Sequence, residues 1–582
     1  MHDLVIRGGT VVDGLGGKPF IADVAIDGDL ITQVGAVVEA GREEIDATGR
    51  VVTPGFVDVH THYDGQATWD EEMAPSSWHG VTTVIMGNCG VGFAPAKPDR
   101  HDWLIGLMEG VEDIPGTALA EGMSWDWETF PEYMDALEKL PRTIDIATHV
   151  PHGAVRAYVL GDREQPGAVP TDEDIDAMSA IVEDGLRAGA LGFSTSRTVI
   201  HKSVDGELVP GTTATADELV RIGRAMGRVG HGVFEMASDL RREWNEFSWM
   251  GDLSRETGLP VTFAALQSIA KELPLDEQIA MMRAENDNGA NIVAQIALRG
   301  NGVVMAWRGT VHPFRFKPSW KAIEGLPWDA QKAKLFDPEF KAQLLSEEHD
   351  FTGQPKDIMG LIMVIAGGWT MQFEMDEDFD YEPGAEASIA ARAAARGVSP
   401  EDYAYDLLCE DDGAGFIYLP ILNYADGNLD FLETLQKDED TVNSLSDGGA
   451  HCGTICDAAS PTFMLQHWVR DRKRGGRISL QHAIKRQCHD TARLYDLNDR
   501  GVLAPGYLAD INVIDLENLR LEKPWLAFDL PAGGKRLLQK AVGYDATIKS
   551  GEITFRGGAV TDARPGGLIR GPQSVPVAEA AE

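Results

Sequence analysis

Four side chains of this 582-residue chain could meet around a metal ion. The segment PGFVDVHTHYD carries His60 and His62 at positions i and i+2. In a strand that spacing turns both imidazoles to one face, within reach of one ion. Imidazole suits zinc and related divalent metals. In MGNCG, Cys89 closes a β-branched run. Its thiolate would be a strong zinc ligand, while a small buried apolar cysteine is the competing reading. In NSLSDGGAH, Asp447 supplies a carboxylate that can bind metal and take a proton from water. A divalent ion lowers the pKa of such a water towards about 7. Ser-Asp-Gly-Gly is also turn chemistry, so a capping role competes for Asp447. Asp58 shares the face of His60 and can orient it or be buried for other reasons.

These residues need strands to position them, and the middle of the chain supplies strands in the right number. VVTPGFVDVH, VTTVIMGNC, TIDIATHV, ALGFSTS, GHGVFEMA, PVTFAAL, ANIVAQIAL and TVNSLSDGGA read as short apolar strands. Helical segments alternate with them, the βαβ pattern of a parallel sheet. TDEDIDAMSAIVEDGLRAG, for example, begins with a cap and carries apolar residues at helical spacing. Eight strands are the number a closed barrel needs. His60, Cys89 and Asp447 then stand at the ends of strands one, two and eight, on the face where such barrels carry their active sites.

Both ends of the chain are strand and turn, as in LVIRGGTVVD and ATIKSGEITFRGGAVTD. The predicted fold is therefore α/β, a (β/α)8 TIM-like barrel with a small discontinuous β-sandwich domain drawn from both chain ends. Residues 1–53 with 500–565 form the β-domain and 54–499 the barrel; 566–582 read as a tail. A large helical insertion occupies about 301–440, long enough to reach over the barrel mouth.

The apolar fraction of 43% and charged fraction of 25% are those of a folded globular protein. The formal charge of −41 repels nucleic acid and anionic membrane, so neither is an expected partner. Five cysteines, an odd number, do not make a disulfide framework. No signal-like N-terminus or bilayer-length apolar run is present, and a cytoplasmic location is the expectation.

PGFVDVHTH, GNCGVGFAP and SDGGAH, with VPHGAVRAYVLG, LGFSTSRT and TARLYDLNDRGVLAPGYLADINVID, resemble the amidohydrolase superfamily and within it the N-acyl-D-amino-acid deacylases (D-aminoacylases). The resemblance implies one or two divalent ions, with zinc the expected metal. It makes His60, His62 and Cys89 metal ligands. It makes Asp447 a metal-proximal general base and acid, while a metal-bound hydroxide attacks the acyl carbonyl of a small N-acyl amide. Self-association is a habit of that family.

Two positions depart from the family. Where histidines are expected from strands five and six, the segments VFEMASD and VTFAALQS present Glu235 and Gln267. Glu235 could bind metal through oxygen, whereas Gln267 suits hydrogen bonding to substrate. Arg197, after strand four, has the guanidinium fork that a substrate carboxylate would need, with a structural ion pair as its alternative. His152 and His451 are further candidates for contact with substrate. His201 and Lys202 read as ordinary surface. Besides deacylation, the sequence admits an amidohydrolase for a cyclic or other non-amino-acid amide, and a non-catalytic ligand-binding barrel.

Overall fold

The computed structural model describes residues 1–165, 167–268, 272–356 and 358–576. Eight parallel strands form a nearly closed barrel: Phe56–Asp58, Val81–Met86, Asp145–Pro151, Gly192–Arg197, Val233–Ser238, Val261–Ala264, Ile292–Ile296 and Thr441–Asn443. They are barrel strands one to eight below. Strand two, VTTVIM, is buried at every position. A parallel strand covered on both faces takes such a continuous β-branched run. Between strands three and four, the helix Asp172–Ala188 starts on a capping box in which Thr171 and Asp174 satisfy each other's backbone N–H groups.

Among the described residues no ladder joins strands eight and one. The seam is closed just beyond their ends, where Thr61 bridges Gly448. There the His62 N–H donates to the Gly448 carbonyl (2.8 Å) and the Asp447 N–H to the His60 carbonyl (3.2 Å). Gly449 makes this approach feasible. Its φ is +91°, and a Cβ would lie 2.8 Å from the Tyr63 ring and 2.9 Å from the His62 carbonyl oxygen.

The two chain ends meet in one nine-stranded sheet. Val51–Pro54 pairs with His2–Val11 on one side and with Ile511–Ile514 on the other. Gly55 alone separates Val51–Pro54 from barrel strand one, so the sheet leads straight into the barrel. A buried charge cluster joins sheet to barrel. Lys549 lies 2.9 Å from both Asp145 and Asp510, and Arg500 lies 2.6 Å from Asp145. Residues 566–576 also hold to the barrel. The Gly567 N–H donates to Asp145 (2.9 Å), the Ile569 N–H to Ile146 (2.8 Å) and the Gly571 N–H to Gly189 (2.8 Å). This part of the expected tail is thus a docked segment; residues 577–582 lie outside the described ones.

The long stretch after strand seven holds its own core, built around Trp307, Phe314, Trp320 and Tyr405. It includes helices and a three-stranded antiparallel sheet of Asn301–Met305, Phe373–Glu374 and Ile417–Leu422. Asn301–Met305 pairs with Ile417–Leu422 across more than a hundred residues of intervening chain, and no local turn signal announces it.

Glu382 anchors this excursion to the chain beyond strand eight. Its carboxylate accepts from Arg472 (2.9 and 3.0 Å), His467 Nε2 (3.0 Å) and the Leu429 N–H (2.9 Å). Burial would raise its pKa, but His467 and Arg472 outweigh burial and hold the carboxyl at about 2. A depressed carboxyl contributes stability above its ordinary 4.5, and that stability is lost as pH falls towards about 2. Glu382→Gln should therefore destabilise the protein at neutral pH by about 3 kcal/mol. Denaturant melts from neutral to acid pH should also show a flatter acid loss in the variant, and an unchanged slope would contradict the assignment.

Candidate metal centre and active site

His60 and His62 follow barrel strand one and are 1% and 2% exposed. Their ring centroids lie 5.3 Å apart. His60 Nδ1 is 2.7 Å from Gln295 Oε1, on strand seven. That oxygen also accepts from Ser444 (3.0 Å), while the Gln295 amide nitrogen donates to Thr262 (3.0 Å). The network makes His60 Nδ1 the donor and leaves Nε2 as a lone pair for a metal. Cys89 Sγ lies 3.4 Å from that Nε2. Donor atoms of His60, His62 and Cys89 fall within 4.8 Å of one another, the one such group of three among the described residues.

Cys89 is placed by an unusual backbone. Its φ is +55°, a left-handed conformation that costs about 1–3 kcal/mol for a residue other than glycine. Two contacts hold it there. The Cys89 N–H donates to Glu235 Oε2 (2.9 Å), and the Gly90 N–H donates to Ser194 Oγ (3.0 Å). A Cβ on Gly90 would lie 2.7 Å from the Ser196 nitrogen, so only glycine lets this loop press against strand four. Asp447, at φ +48°, is likewise left-handed. Its Oδ1 stands 3.6 Å from His60 Nε2 and 3.7 Å from His62 Nε2.

The site is rich in buried carboxyl groups. Burial raises the Glu235 carboxyl to about 8 and those of Asp58 and Asp64 to about 7. Burial also lowers His60 to about 4. His62 goes the other way: Glu112, 3.4 Å from Nδ1, and Asp447 outweigh burial and push it up to about 9. For Asp447, burial opposes but the histidines prevail, and its carboxyl lies below the usual range. No Lys or Arg is ion-paired with Asp447, Glu112, Glu235, Asp58 or Asp64 among the described residues. Glu112 Oε1 and Glu235 Oε1 are buried with no hydrogen-bond partner. Orphaned carboxylate oxygens beside two imidazoles and a thiol are a donor set that fits a divalent cation.

The other sequence candidates have varied surroundings. Arg197 is held by Glu246 (2.7 Å) and the Ala214 carbonyl and lies against Trp244. His152 has both ring nitrogens engaged, with Thr195 (2.8 Å) and Glu218 (3.1 Å). Gln267 turns away to the excursion, bonding Asp426 (2.8 Å). His451 does join the centre, with Nε2 3.6 Å from Glu112. His201 is not ordinary surface: Ser196 Oγ lies 3.0 Å from its Nδ1. Burial and the charges of His451, His62 and His60 hold it at about 3, with Asp447 opposing. Gln295 and Glu112 went unnoticed in the sequence, and His201 was read there as surface. Gln295 had a signal, being a lone amide in the apolar strand ANIVAQIAL. Glu112, at the end of helix His101–Glu112, and His201, on a loop, had none that periodicity could read.

The profile of the Amidohydrolase family matches residues 43–555. An uncharacterised protein of Mycobacterium tuberculosis is 35% identical over 96% of this chain and 92% of its own. A D-aminoacylase of Alcaligenes xylosoxydans xylosoxydans is 34% identical over 242 residues, which is 41% of this chain. The chain thus spans less than half of that relative, 45% of its length. A solved D-aminoacylase, described as having a binuclear metal centre, superposes with a TM-score of 0.64 at 22% identity, covering 98% of this chain and all of that one. N-acyl-D-glutamate deacylase of Bordetella bronchiseptica, solved with zinc and a phosphonate inhibitor, gives 0.62 at 21% identity, over 98% of this chain and 99% of that one. At these identities the two structures share the fold.

The bond from His60 to Gln295 gives a direct check on the donor set. Gln295→Leu should leave the histidine without its orienting acceptor and weaken metal binding about 10–100-fold. Chelator competition measures this, and an unchanged affinity would remove Gln295 from the centre.

Proposed function

We propose that this chain, which belongs to the amidohydrolase family, is a metal-dependent amide hydrolase acting on N-acyl-D-amino acids. One observation carries the reading. His60, His62 and Cys89 converge on one point at the end of the barrel, and the Asp447 carboxylate stands within 4 Å of both imidazoles. His60, His62 and Cys89 would hold the ion, zinc by donor type, and the orphaned Glu235 Oε1 offers a further oxygen ligand. When bound, a divalent ion supplies Lewis acidity towards the amide carbonyl and the attacking water.

The remaining work falls to the side chains. Asp447 is depressed enough to stay ionised, so it can accept a proton from the attacking water at a carboxylate oxygen. The same oxygen can return that proton to the leaving nitrogen. Gln295 orients the His60 imidazole by hydrogen bond, and Glu112 faces His62 Nδ1 at 3.4 Å. His451, 3.6 Å from Glu112, would be available to hydrogen-bond the acyl amide. The names of the matched relatives support N-acyl-D-amino acids as the substrate class.

The test pairs metal analysis with a substrate panel of N-acetyl D- and L-amino acids and cyclic amides. Cleavage of the D series is expected. Asp447→Asn, assayed at saturating metal, should lose about 10²–10⁴-fold in kcat. Turnover of cyclic amides alone would overturn the substrate assignment, and full activity in Asp447→Asn would overturn the role of the carboxylate.

A further inference from the structure

A second place in the molecule is arranged for a ligand. It lies in the excursion, outside the metal centre. One cavity of about 370 Å³ is lined by Arg308, Arg315, Lys535, His312, Trp320 and Trp328, among others. A second, of about 420 Å³, is lined chiefly by Phe316, Ile358, Leu361, Ile362 and Ile365. Thr310, Arg315 and Glu324 line both, so the two adjoin. Each has the size of an ordinary small-molecule pocket.

The first cavity concentrates positive charge in a chain of net charge −41. Most cations of this protein are paired with carboxylates, but Arg308, Arg315 and Lys535 have none within 4 Å among the described residues. Lys535 donates to the Gly309 carbonyl (3.0 Å), and Arg315 to that of Thr310. The Arg308 guanidinium lies over the rings of Phe528 (4.0 Å) and Trp328 (5.2 Å). Burial and the like charges of Arg315 and Arg308 hold Lys535 below its ordinary value, while Asp113 opposes them. The Asp113 carboxylate is already occupied by Thr310, Thr454 and the Gly453 N–H. Glu324, the acid in the lining, is exposed to solvent. His312 is 2% exposed, and its Nδ1 has no partner. An anion entering here would relieve mutual repulsion and gain charge-assisted hydrogen bonds.

The second cavity is aliphatic. It lies against the helix Met359–Gly367, whose sequence MGLIMVIAG is apolar on every side. Leu361 is 37% and Met363 59% exposed, so the helix carries more apolar surface than its own packing covers. A ligand with an anionic head in the first cavity and a hydrocarbon tail in the second would fill both.

We infer that the excursion binds an aliphatic carboxylate, with its head between Arg308, Arg315 and Lys535 and its chain along Met359–Gly367. That chemistry belongs to a free fatty acid and equally to a long-chain N-acyl amino acid. The inference does not depend on the proposed hydrolysis.

Trp307, Trp320 and Trp328 line the first cavity, so intrinsic fluorescence can report its occupation. The full-length protein would be titrated with dodecanoate, N-dodecanoylglycine, acetate and dodecyltrimethylammonium, below micellar concentrations, with calorimetry in parallel. Saturable binding of dodecanoate is expected, at least tenfold tighter than of acetate or the ammonium amphiphile. Tighter binding of N-dodecanoylglycine than of dodecanoate would identify the acyl amino acid as the source, and the reverse a free fatty acid. Arg315→Gln and Leu361→Glu, both at exposed positions, should each weaken dodecanoate at least tenfold, and His60→Ala should not. Three results would overturn the inference: no saturable binding, equal binding of the ammonium amphiphile, or loss of binding in His60→Ala, which would place the ligand at the metal centre.

Discussion

The seam between the last and first barrel strands governs this molecule. Two backbone hydrogen bonds cross it, from His62 to Gly448 and from Asp447 to His60. They belong to the architecture, since they bring the barrel round on itself. They also place the carboxylate of Asp447 beside both imidazoles. Structure and chemistry are thus written into the same pair of peptide groups. The glycines after Asp447 serve both purposes, because any side chain at Gly449 would push His62 and Tyr63 away.

Around that seam the protein keeps an imbalance of charge. Glu112, Glu235, Asp58 and Asp64 are buried with little to neutralise them beyond histidine. An isolated buried carboxylate is costly, and proteins retain such groups where a cation or a proton compensates. The left-handed backbone at Cys89 and Asp447 adds strain at the same place. Elsewhere several deep charges come paired, as Lys549 does with Asp145 and Asp510. Buried carboxyl groups without a basic partner thus gather where a divalent cation would compensate them.

Much of this was legible in the amino-acid sequence. All eight barrel strands were visible as short apolar runs, because a parallel strand buried on both faces cannot carry alternating polar residues. His60, His62, Cys89 and Asp447 were visible because they stand at the ends of those runs. The residues that orient them were harder to see. Glu112 closes a helix whose other residues explain themselves by packing, and His201 sits on a loop with no period at all. Their proximity to the centre is a product of the whole fold and has no local correlate. The excursion hid its antiparallel sheet for the same reason, and the docking of 566–576 on strand three depends on partners hundreds of residues away.

That distance along the chain has a temporal side. The hydrogen bond from Ser446 to the His60 carbonyl spans 386 residues, and contacts of such separation carry the largest loop-closure entropy. Asp447 comes late in synthesis, so a nascent chain holds His60, His62 and Cys89 long before that carboxylate arrives. The complete site can exist only after every intervening strand has been laid down in order. A site with His60, His62, Cys89 and Asp447 together is therefore a record of the barrel having closed.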